Sequence, residues 1–393
     1  MNLSFNRKSR RWLIGLLVAA CSSPVLAIDL LELPAIQTNA ASRGLLLDIT
    51  SRTGESEVAV GAFGVIIVSE DGGANWTQST VPASVALTAV NFPTENEGWV
   101  VGHDGLILHS EDGGKTWQEQ LNGNQLNDQI IAVTEAIVEQ KSDELEALQN
   151  AEEPDEDAIS EAEFLLEEAE FALEGAQDDV EAGPVRPLLD VWFRNELEGF
   201  VTGSYGMLIV TEDGGENWEL VSERMDNPEA FHLNQIVPAP DGALFIAGEA
   251  GFIYRSTDNG LSWETLEPGY EGSFYGIVVV PDAAGSYELL AYGLRGNLFS
   301  SADHGDSWEQ LDSGTTITLT NGTLLKNGTV MLVGQGGTIL TRAPGADTFQ
   351  VSNNPDRRVI SGLTETSDGH VLLVGLGGVR KIDASGSSLA GGE

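Results

Sequence analysis

Short runs of hydrophobic residues, separated by glycine-containing turns, recur along most of the chain and predict β-strands. The pattern is clearest in residues 87–121, where four such runs follow one another with only short polar turns between them. These runs are 87–92, 97–102, 106–110 and 117–121. The same order returns at 188–221, so we expect each unit to form a sheet of four strands.

The unit repeats at a nearly constant spacing. Each copy contains a glycine, a short turn and a hydrophobic strand, as in VGHDGLILHS at 101–110. The leading glycines are Gly61, Gly102, Gly203, Gly248, Gly293, Gly334 and Gly375. They lie 41–45 residues apart, except for the 101 residues between Gly102 and Gly203. A period near 41–45 residues is typical of propeller blades, so the sequence predicts an all-β, seven-bladed β-propeller.

An octapeptide of the form Ser/Thr-x-Asp-x-Gly-x-x-Trp follows the third predicted strand in five of the repeats. Its Asp is expected to accept hydrogen bonds from its own turn, its glycine to take a positive φ and its Trp ring to be buried. These residues are Asp71 and Trp76, Asp112 and Trp117, Asp213 and Trp218, Asp258 and Trp263, and Asp303 and Trp308. Five copies at equivalent blade positions cannot share one catalytic or metal site, so we interpret them as structural. The last two repeats have lost the octapeptide.

The one long spacing predicts an insertion of two helices. In 126–183, hydrophobic residues recur at coiled-coil spacing on both sides of Pro154, which cannot lie inside either helix. The insertion follows an outermost strand, so we expect it on the face opposite the octapeptides. Phe164 and Phe171 lie seven residues apart and off the predicted helix–helix seam. They leave two interpretations open, a docking surface or a solvated decoration. The predicted propeller segments on either side of the insertion are 28–125 and 184–393.

The charge of the chain restricts its partners. The formal net charge is −42 at pH 7, which repels nucleic acid. Residues 128–181 contain 20 acidic residues against the single base Lys141, so the insertion holds almost half of that charge. The five histidines show no metal-ligand spacing, and no glycine-rich phosphate loop precedes a helix. We therefore expect no cofactor and no metal.

The first residues predict export. A basic segment precedes the apolar run 12–20, which is too short to span a membrane. Two processing sites compete, because ordinary cleavage would remove a signal peptide at 1–27, whereas a lipobox-like site would remove 1–20. In the second case Cys21, the only cysteine, would carry a lipid. Both alternatives place the mature protein in the periplasm or another extracytoplasmic space. A lipid on Cys21 would be its only expected membrane attachment.

The octapeptides are Asp-boxes, or bacterial neuraminidase (BNR) repeats. The fuller unit, best seen in LLDVWFRNELEGFVTGSYGMLIVTEDGGENWEL at 188–220, resembles the photosystem II assembly and stability factor family of chloroplasts and cyanobacteria. That family has relatives in non-photosynthetic bacteria, and the resemblance covers the mature chain apart from the insertion. It implies an exported propeller without catalytic activity that helps to assemble or stabilise a membrane-associated protein complex. In a non-photosynthetic host the partner would be a different one, such as a membrane transporter system.

The resemblance also implies an arginine-rich patch that binds the protein partner. The candidates in this chain cluster in the later repeats, and the alternative is that they are ordinary solvated charges. They are Arg255, Arg295, Arg342, Arg357, Arg358 and Arg380.

A secreted glycoside hydrolase of the sialidase type is the alternative function, because sialidases share the propeller and the Asp-box. Such an enzyme needs two carboxylates about 5–10 Å apart or a tyrosine–glutamate pair. Asp48 and Asp190 fall at equivalent positions of two innermost strands, so both are expected to face the central channel. The first box is preceded by GAFGVIIVS, without the Phe-Arg-Ile-Pro motif of sialidases. We therefore favour a structural role for both carboxylates.

Overall fold

The computed structural model of the protein describes residues 29–52 and 55–387. The predicted signal peptide and Cys21 lie outside these residues. The described chain forms seven antiparallel sheets, six of four strands and a last one of three, and each sheet is built from consecutive strands. The predicted seven-bladed propeller is therefore confirmed.

The first three blades contain β1 to β12. Blade 1 consists of β1 (Leu46–Ser51), β2 (Glu57–Gly61), β3 (Ile66–Ser69) and β4 (Thr77–Gln78). Blade 2 consists of β5 (Leu87–Asn91), β6 (Gly98–Gly102), β7 (Ile107–Ser110) and β8 (Gln118–Leu121). Blade 3 consists of β9 (Leu188–Phe193), β10 (Gly199–Gly203), β11 (Leu208–Thr211) and β12 (Glu219–Leu220).

The other four blades contain β13 to β27. Blade 4 consists of β13 (Leu233–Pro238), β14 (Leu244–Gly248), β15 (Ile253–Ser256) and β16 (Glu264–Leu266). Blade 5 consists of β17 (Phe274–Pro281), β18 (Tyr287–Gly293), β19 (Leu298–Ser301) and β20 (Glu309–Leu311). Blade 6 consists of β21 (Leu319–Leu324), β22 (Val330–Gly334), β23 (Thr338–Arg342) and β24 (Gln350–Asn353). Blade 7 consists of β25 (Ile360–Glu365), β26 (Val371–Gly375) and β27 (Arg380–Ile382).

The insertion forms two antiparallel helices between blades 2 and 3, as predicted. The first, α1, spans Gly123–Gln149, and the second, α2, spans Glu156–Ala182. Asn122 caps α1 through a reciprocal pair of hydrogen bonds with Gln125, and Asp155 caps α2. Pro154 lies in the loop between them.

The hydrophobic core lies between neighbouring blades. Nearly every residue of the second strands is buried, for example all five of β2, β6 and β10, because each second strand is covered by a blade on both of its faces. In blade 2, Trp99 stacks on Phe193 of blade 3 with ring centroids 3.6 Å apart. The seven sheets are therefore held together mainly by apolar contacts from one blade to the next.

The two ends of the propeller differ in what they carry. The turns between third and fourth strands, which hold the Asp-boxes, lie at one end, which we call the Asp-box face. The turns between second and third strands lie at the other end, together with the connections between blades. There the backbone N–H of Gly105, in the blade 2 turn, donates to the carbonyl of Arg186, which follows α2, at 3.0 Å. We call this end, which carries the helices, the helix-side face.

Candidate partner-binding surface

Seven residues occupy equivalent positions on the innermost strands, which surround the central channel. These residues are Asp48, Ala89, Asp190, Gln235, Gly276, Asn321 and Gly362, and each pairs with the residue just before the leading glycine of its repeat. A register shift beside each of them kinks the strand, and Asp48 and Asp190 line the channel.

The two channel carboxylates hold neighbouring blades together. The Asp48 carboxylate accepts a hydrogen bond from the backbone N–H of Val90 in blade 2 at 3.0 Å. The Asp190 carboxylate accepts one from Ile236 in blade 4 at 2.9 Å. The amide of Gln235 plays the same part towards blade 5, at 2.9 Å from the N–H of Ile277. An amide can therefore replace the carboxylate in this contact, which does not require a charge.

The channel disfavours the ionised form of both carboxylates. Each side chain is partly open to the channel, but protein atoms surround the channel on all sides. Burial raises the pKa of Asp48 to about 6, although the hydrogen bond from Val90 acts in the opposite direction and lowers it. Burial, with the nearby charge of Asp48 adding to it, raises the pKa of Asp190 to about 8. Since a raised pKa means that the fold prefers the protonated acid, stability falls as the pH rises through these values.

We expect Asp190→Asn to remove part of this pH dependence. The thermal midpoint of the unchanged protein should fall by several degrees as the pH rises from about 5 to 9, whereas the variant should show a flatter profile and a higher midpoint at pH 9. Thermal melts across this range measure the effect. Asp213→Asn serves as the control, because the pKa of that carboxyl is lowered and its effect should be constant over the same range. Parallel slopes for Asp190→Asn and the unchanged protein would contradict the account.

Each Asp-box carboxylate is occupied by its own turn. In the first box the Asp71 carboxylate accepts hydrogen bonds from the backbone N–H and the side chain of Asn75 at 2.8 and 2.7 Å. The Ser69 hydroxyl donates to the same carboxylate and accepts from the N–H of Gly73. The same network lowers the pKa of all five box aspartates. These carboxylates are therefore committed to the turn.

The box tryptophans fill the joints between blades. Trp76, Trp117 and Trp308 donate their indole N–H to the carbonyl of the box glycine that lies three residues before them. Trp218 donates instead to the side chain of Gln120 in blade 2, at 3.2 Å. The indole nitrogen of Trp263 has no hydrogen-bond acceptor among residues 29–52 and 55–387.

The base of the helical hairpin is part of the propeller core. Leu126 is fully buried and belongs to the hydrophobic cluster that joins blades 2 and 3. The side chain of Gln129 donates to the carbonyl of Trp218 at 3.0 Å. On the return path, Arg186 pairs with Asp179 of α2 and lies over the ring of Tyr205 at 5.2 Å. The hairpin is therefore anchored at its root, while its outer part extends from the helix-side face.

A contiguous apolar patch lies on the helix-side face where blade 7 meets blade 1. We call it the seam patch, and it comprises Leu45, Phe63, Val359 and Leu376, which are 41, 75, 38 and 54% exposed. Backbone contacts connect these residues, because Leu45 bridges to Leu376 and accepts from Ala62, and Leu376 donates to Val359. The exposed residues Arg43, Arg357 and Arg358 lie beside them in sequence. Exposed apolar groups bordered by cations are typical of protein-binding sites.

Phe63 occupies the tip of its turn in a strained conformation. Its φ is +60° and its ψ is 34°, in the left-handed region that bulky side chains rarely adopt. The equivalent turn positions in four other blades have the same conformation, and they are Asp104, Tyr205, Ala250 and Arg295. The turn imposes this backbone, so the residue type at the tip is free to serve another purpose.

The six candidate arginines do not come together. Arg255 pairs with Glu264 and, across the blade joint, with Asp306, and Arg342 pairs with Glu288 of blade 5. The side chains of both arginines are only 15 and 11% exposed. These two arginines therefore connect neighbouring blades. They lie near the ends of third strands, close to the Asp-box face.

The other four arginines belong to the helix-side face. Arg358 and Arg380 both pair with Asp356, whereas Arg295 and Arg357 are exposed and have no ion pair within the described ranges. Sequence reasoning missed Arg43 and the four apolar residues of the seam patch. Alignment of the repeats on their leading glycines would have singled out Phe63, because it makes the tip position of the turn visible.

The two phenylalanines of the insertion are exposed as predicted from their position off the seam. Phe164 and Phe171 are 57 and 77% exposed on α2. The opposite side of α2 packs on α1 through Ala162, Ala169 and Ala176, which are buried.

The described part of the chain contains neither a metal-binding cluster nor a membrane-spanning helix. No group of three or more His, Cys, Asp or Glu side chains there is arranged to hold a metal ion. No helix there combines the length and the apolar character that a membrane crossing needs.

Comparison of the sequence with known proteins gives one family. The model described as "Photosynthesis system II assembly factor YCF48" matches residues 31–157 and 173–389. The photosystem II assembly lipoprotein Ycf48 of Synechococcus sp. (strain CC9902) is 38% identical over 79 residues, which are 20% of this chain and 23% of that relative. The match thus spans less than a quarter of the curated relative's length.

Comparison of the structure gives other propellers. YCF48 bound to a D1 peptide has a TM-score of 0.57 and 16% identity, covering 88% of this chain and 97% of that one. YCF48 from Cyanidioschyzon merolae has a TM-score of 0.56 and 15% identity, with the same coverage of both chains. The WD40 propeller domain of Doa1 has a TM-score of 0.57 and 11% identity, covering 91% of this chain and 98% of that one. At these identities the likeness concerns the fold.

Proposed function

Because the chain belongs to the family of the photosystem II assembly factor YCF48, we propose that it is an exported, non-enzymatic assembly factor that binds a membrane-associated protein complex. The helix-side face is the binding surface. In a photosynthetic host the complex is photosystem II, and in another host it is a different membrane complex, such as a transporter system.

The seam patch is the observation that carries this proposal. It places four exposed apolar side chains beside Arg43, Arg357 and Arg358 in a protein whose net charge is −42. Locally cationic surface is scarce on such a chain, so its presence beside exposed apolar groups favours a peptide segment with apolar and acidic residues. The solved YCF48 with a D1 peptide supports the idea that a propeller of this family binds an exposed segment of its partner.

Export and membrane attachment belong to the same proposal. The basic and apolar N-terminal segment favours an exported protein, and the curated Synechococcus relative is called a lipoprotein. Lipid on Cys21 would hold the propeller close to a membrane complex, whereas cleavage at 1–27 would release it. Labelling of the wild type and of Cys21→Ser with a radioactive fatty acid distinguishes these two alternatives.

Phe63→Gly should separate binding from stability. Glycine adopts the left-handed region without strain, so the variant should unfold at an equal or higher temperature, with a gain of at most about 1 kcal/mol. Loss of the exposed ring should weaken binding to the membrane partner by about tenfold. Ala250→Gly is the matched control, because Ala250 has the same turn conformation without an aromatic ring. Equal binding by both variants would argue against the seam patch.

A glycoside hydrolase is the second candidate, and the raised pKa of two channel carboxylates is the observation in its favour. A general acid needs a raised pKa. However, Asp48 and Asp190 each hold the backbone of the next blade, which explains their position without catalysis. A screen of purified protein on aryl-glycosides and sialosides tests this candidate. Turnover that is abolished by Asp48→Asn or Asp190→Asn would replace the assembly-factor proposal.

A further inference from the structure

The outer face of α2 presents an apolar stripe between acidic side chains. Phe164 and Phe171 lie two helical turns apart, about 10 Å along the axis, on the side opposite the alanines that pack on α1. Glu167, Glu168 and Glu174 flank them in sequence and are exposed. Within the described ranges none of these three glutamates has an ion-pair partner. We call these five residues the α2 stripe.

The charge of the hairpin is costly to the isolated protein. Glu163 and Glu167, and likewise Glu170 and Glu174, are like charges four residues apart on one helix, and such pairs destabilise helices. Asp178 and Glu181 lie in the last turns of α2, where the helix dipole disfavours negative charge. A cationic ligand bound to α2 would relieve this repulsion and stabilise the hairpin.

The same charge decides between possible occupants of the stripe. A second copy would bring another hairpin with a net charge of −19, since residues 128–181 contain 20 acidic residues and one lysine. Anionic lipid headgroups would be repelled for the same reason. An occupant with positive charges around apolar side chains satisfies both features of the stripe.

We propose that the α2 stripe binds a cationic amphipathic helix of a protein partner, with apolar side chains at heptad spacing over Phe164 and Phe171 and with lysine or arginine against the glutamates. A helix laid along α2 matches the seven-residue separation of the two phenylalanines. This surface is separate from the seam patch, so the inference does not depend on the proposed function.

The test measures binding of a synthetic peptide to the full mature protein. The probe is an amphipathic helix of about three Leu/Lys heptads, and its control carries Glu in place of Lys. We expect the Leu/Lys peptide to bind, its affinity to fall with added salt, and Phe164→Ser/Phe171→Ser to weaken binding about tenfold or more. The exposed Leu261, at a variable position of the fourth Asp-box, supplies the matched control Leu261→Ser, which should bind like the unchanged protein.

Several results would overturn the inference. Unchanged peptide affinity in the double variant would mean that charge attraction alone accounts for peptide binding. Equal binding of the Glu peptide would mean that charge does not select the occupant of the stripe. Dimers of the protein that disappear in Phe171→Ser, or binding to anionic lipid vesicles that depends on Phe171, would assign the stripe to a second copy or to a membrane. Circular dichroism verifies that the variants keep the helical content of the unchanged protein.

Discussion

Trp99→Ala is expected to lower the free energy of unfolding by about 3–5 kcal/mol, because it empties a large buried site. Trp99 is 1% exposed, and its ring stacks between His109 of its own blade and Phe193 of blade 3. Its indole N–H donates to the side chain of Gln120 at 3.1 Å. Urea denaturation measures the change, and the joint between blades 2 and 3 should be the first part of the ring to open.

Two further variants serve for comparison. Trp192→Ala should cost much less, because Trp192 is only partly buried and packs at the neighbouring joint, between blades 3 and 4. Gln120→Ala should cost about 1–3 kcal/mol, since Gln120 accepts from both Trp99 and Trp218. A loss of less than about 1 kcal/mol for Trp99→Ala would mean that this joint does not hold the ring together.

The second large effect concerns binding. Phe63→Asp combined with Leu376→Asp should weaken binding to the membrane partner on the order of a hundredfold, because two apolar anchors are replaced by charges that repel an acidic segment. The fold should be unchanged, since the two side chains are 75 and 54% exposed. Affinity measured with the partner complex purified from native membranes provides the test.

The control places the same charges on the Asp-box face. Leu197 and Leu261 are 57 and 63% exposed, and both lie in hairpins at that end. Leu197→Asp combined with Leu261→Asp therefore changes net charge and exposed apolar area to a similar degree. Comparable losses in the two double variants would mean that charge alone, and not the seam patch, governs binding.

The sequence predicted the blades because each blade is a local unit. Its strands are consecutive, and the glycine turns and Asp-boxes determine where each strand ends. It also placed Asp48 and Asp190 on equivalent channel positions, since the repeats could be aligned on their glycines. The start of α1 was predicted at residue 126, yet Asn122 and Gln125 form a capping box that the sequence displays. A deletion from residue 126 would remove Leu126, which the propeller core needs.

Contacts between repeats could not be predicted from the sequence. Arg255 and Arg342 resemble the other arginines in the sequence, but each pairs with an acidic residue of a neighbouring blade, 51 or 54 residues away. The seam patch joins residues from both ends of the chain, such as Leu45 and Leu376. Nothing in the local pattern relates two such residues, because their contact exists only after the ring has closed.

Hydrogen–deuterium exchange of the protein, alone and bound to the complex that it co-purifies with, tests the central claim most directly. The account predicts protection of the helix-side face, especially of the seam-patch segments 43–45, 62–65, 357–359 and 376–378, with the Asp-box turns unchanged. Protection confined to the Asp-box turns would contradict the claim that the helix-side face binds the partner, as would a bound complex that leaves these segments unprotected.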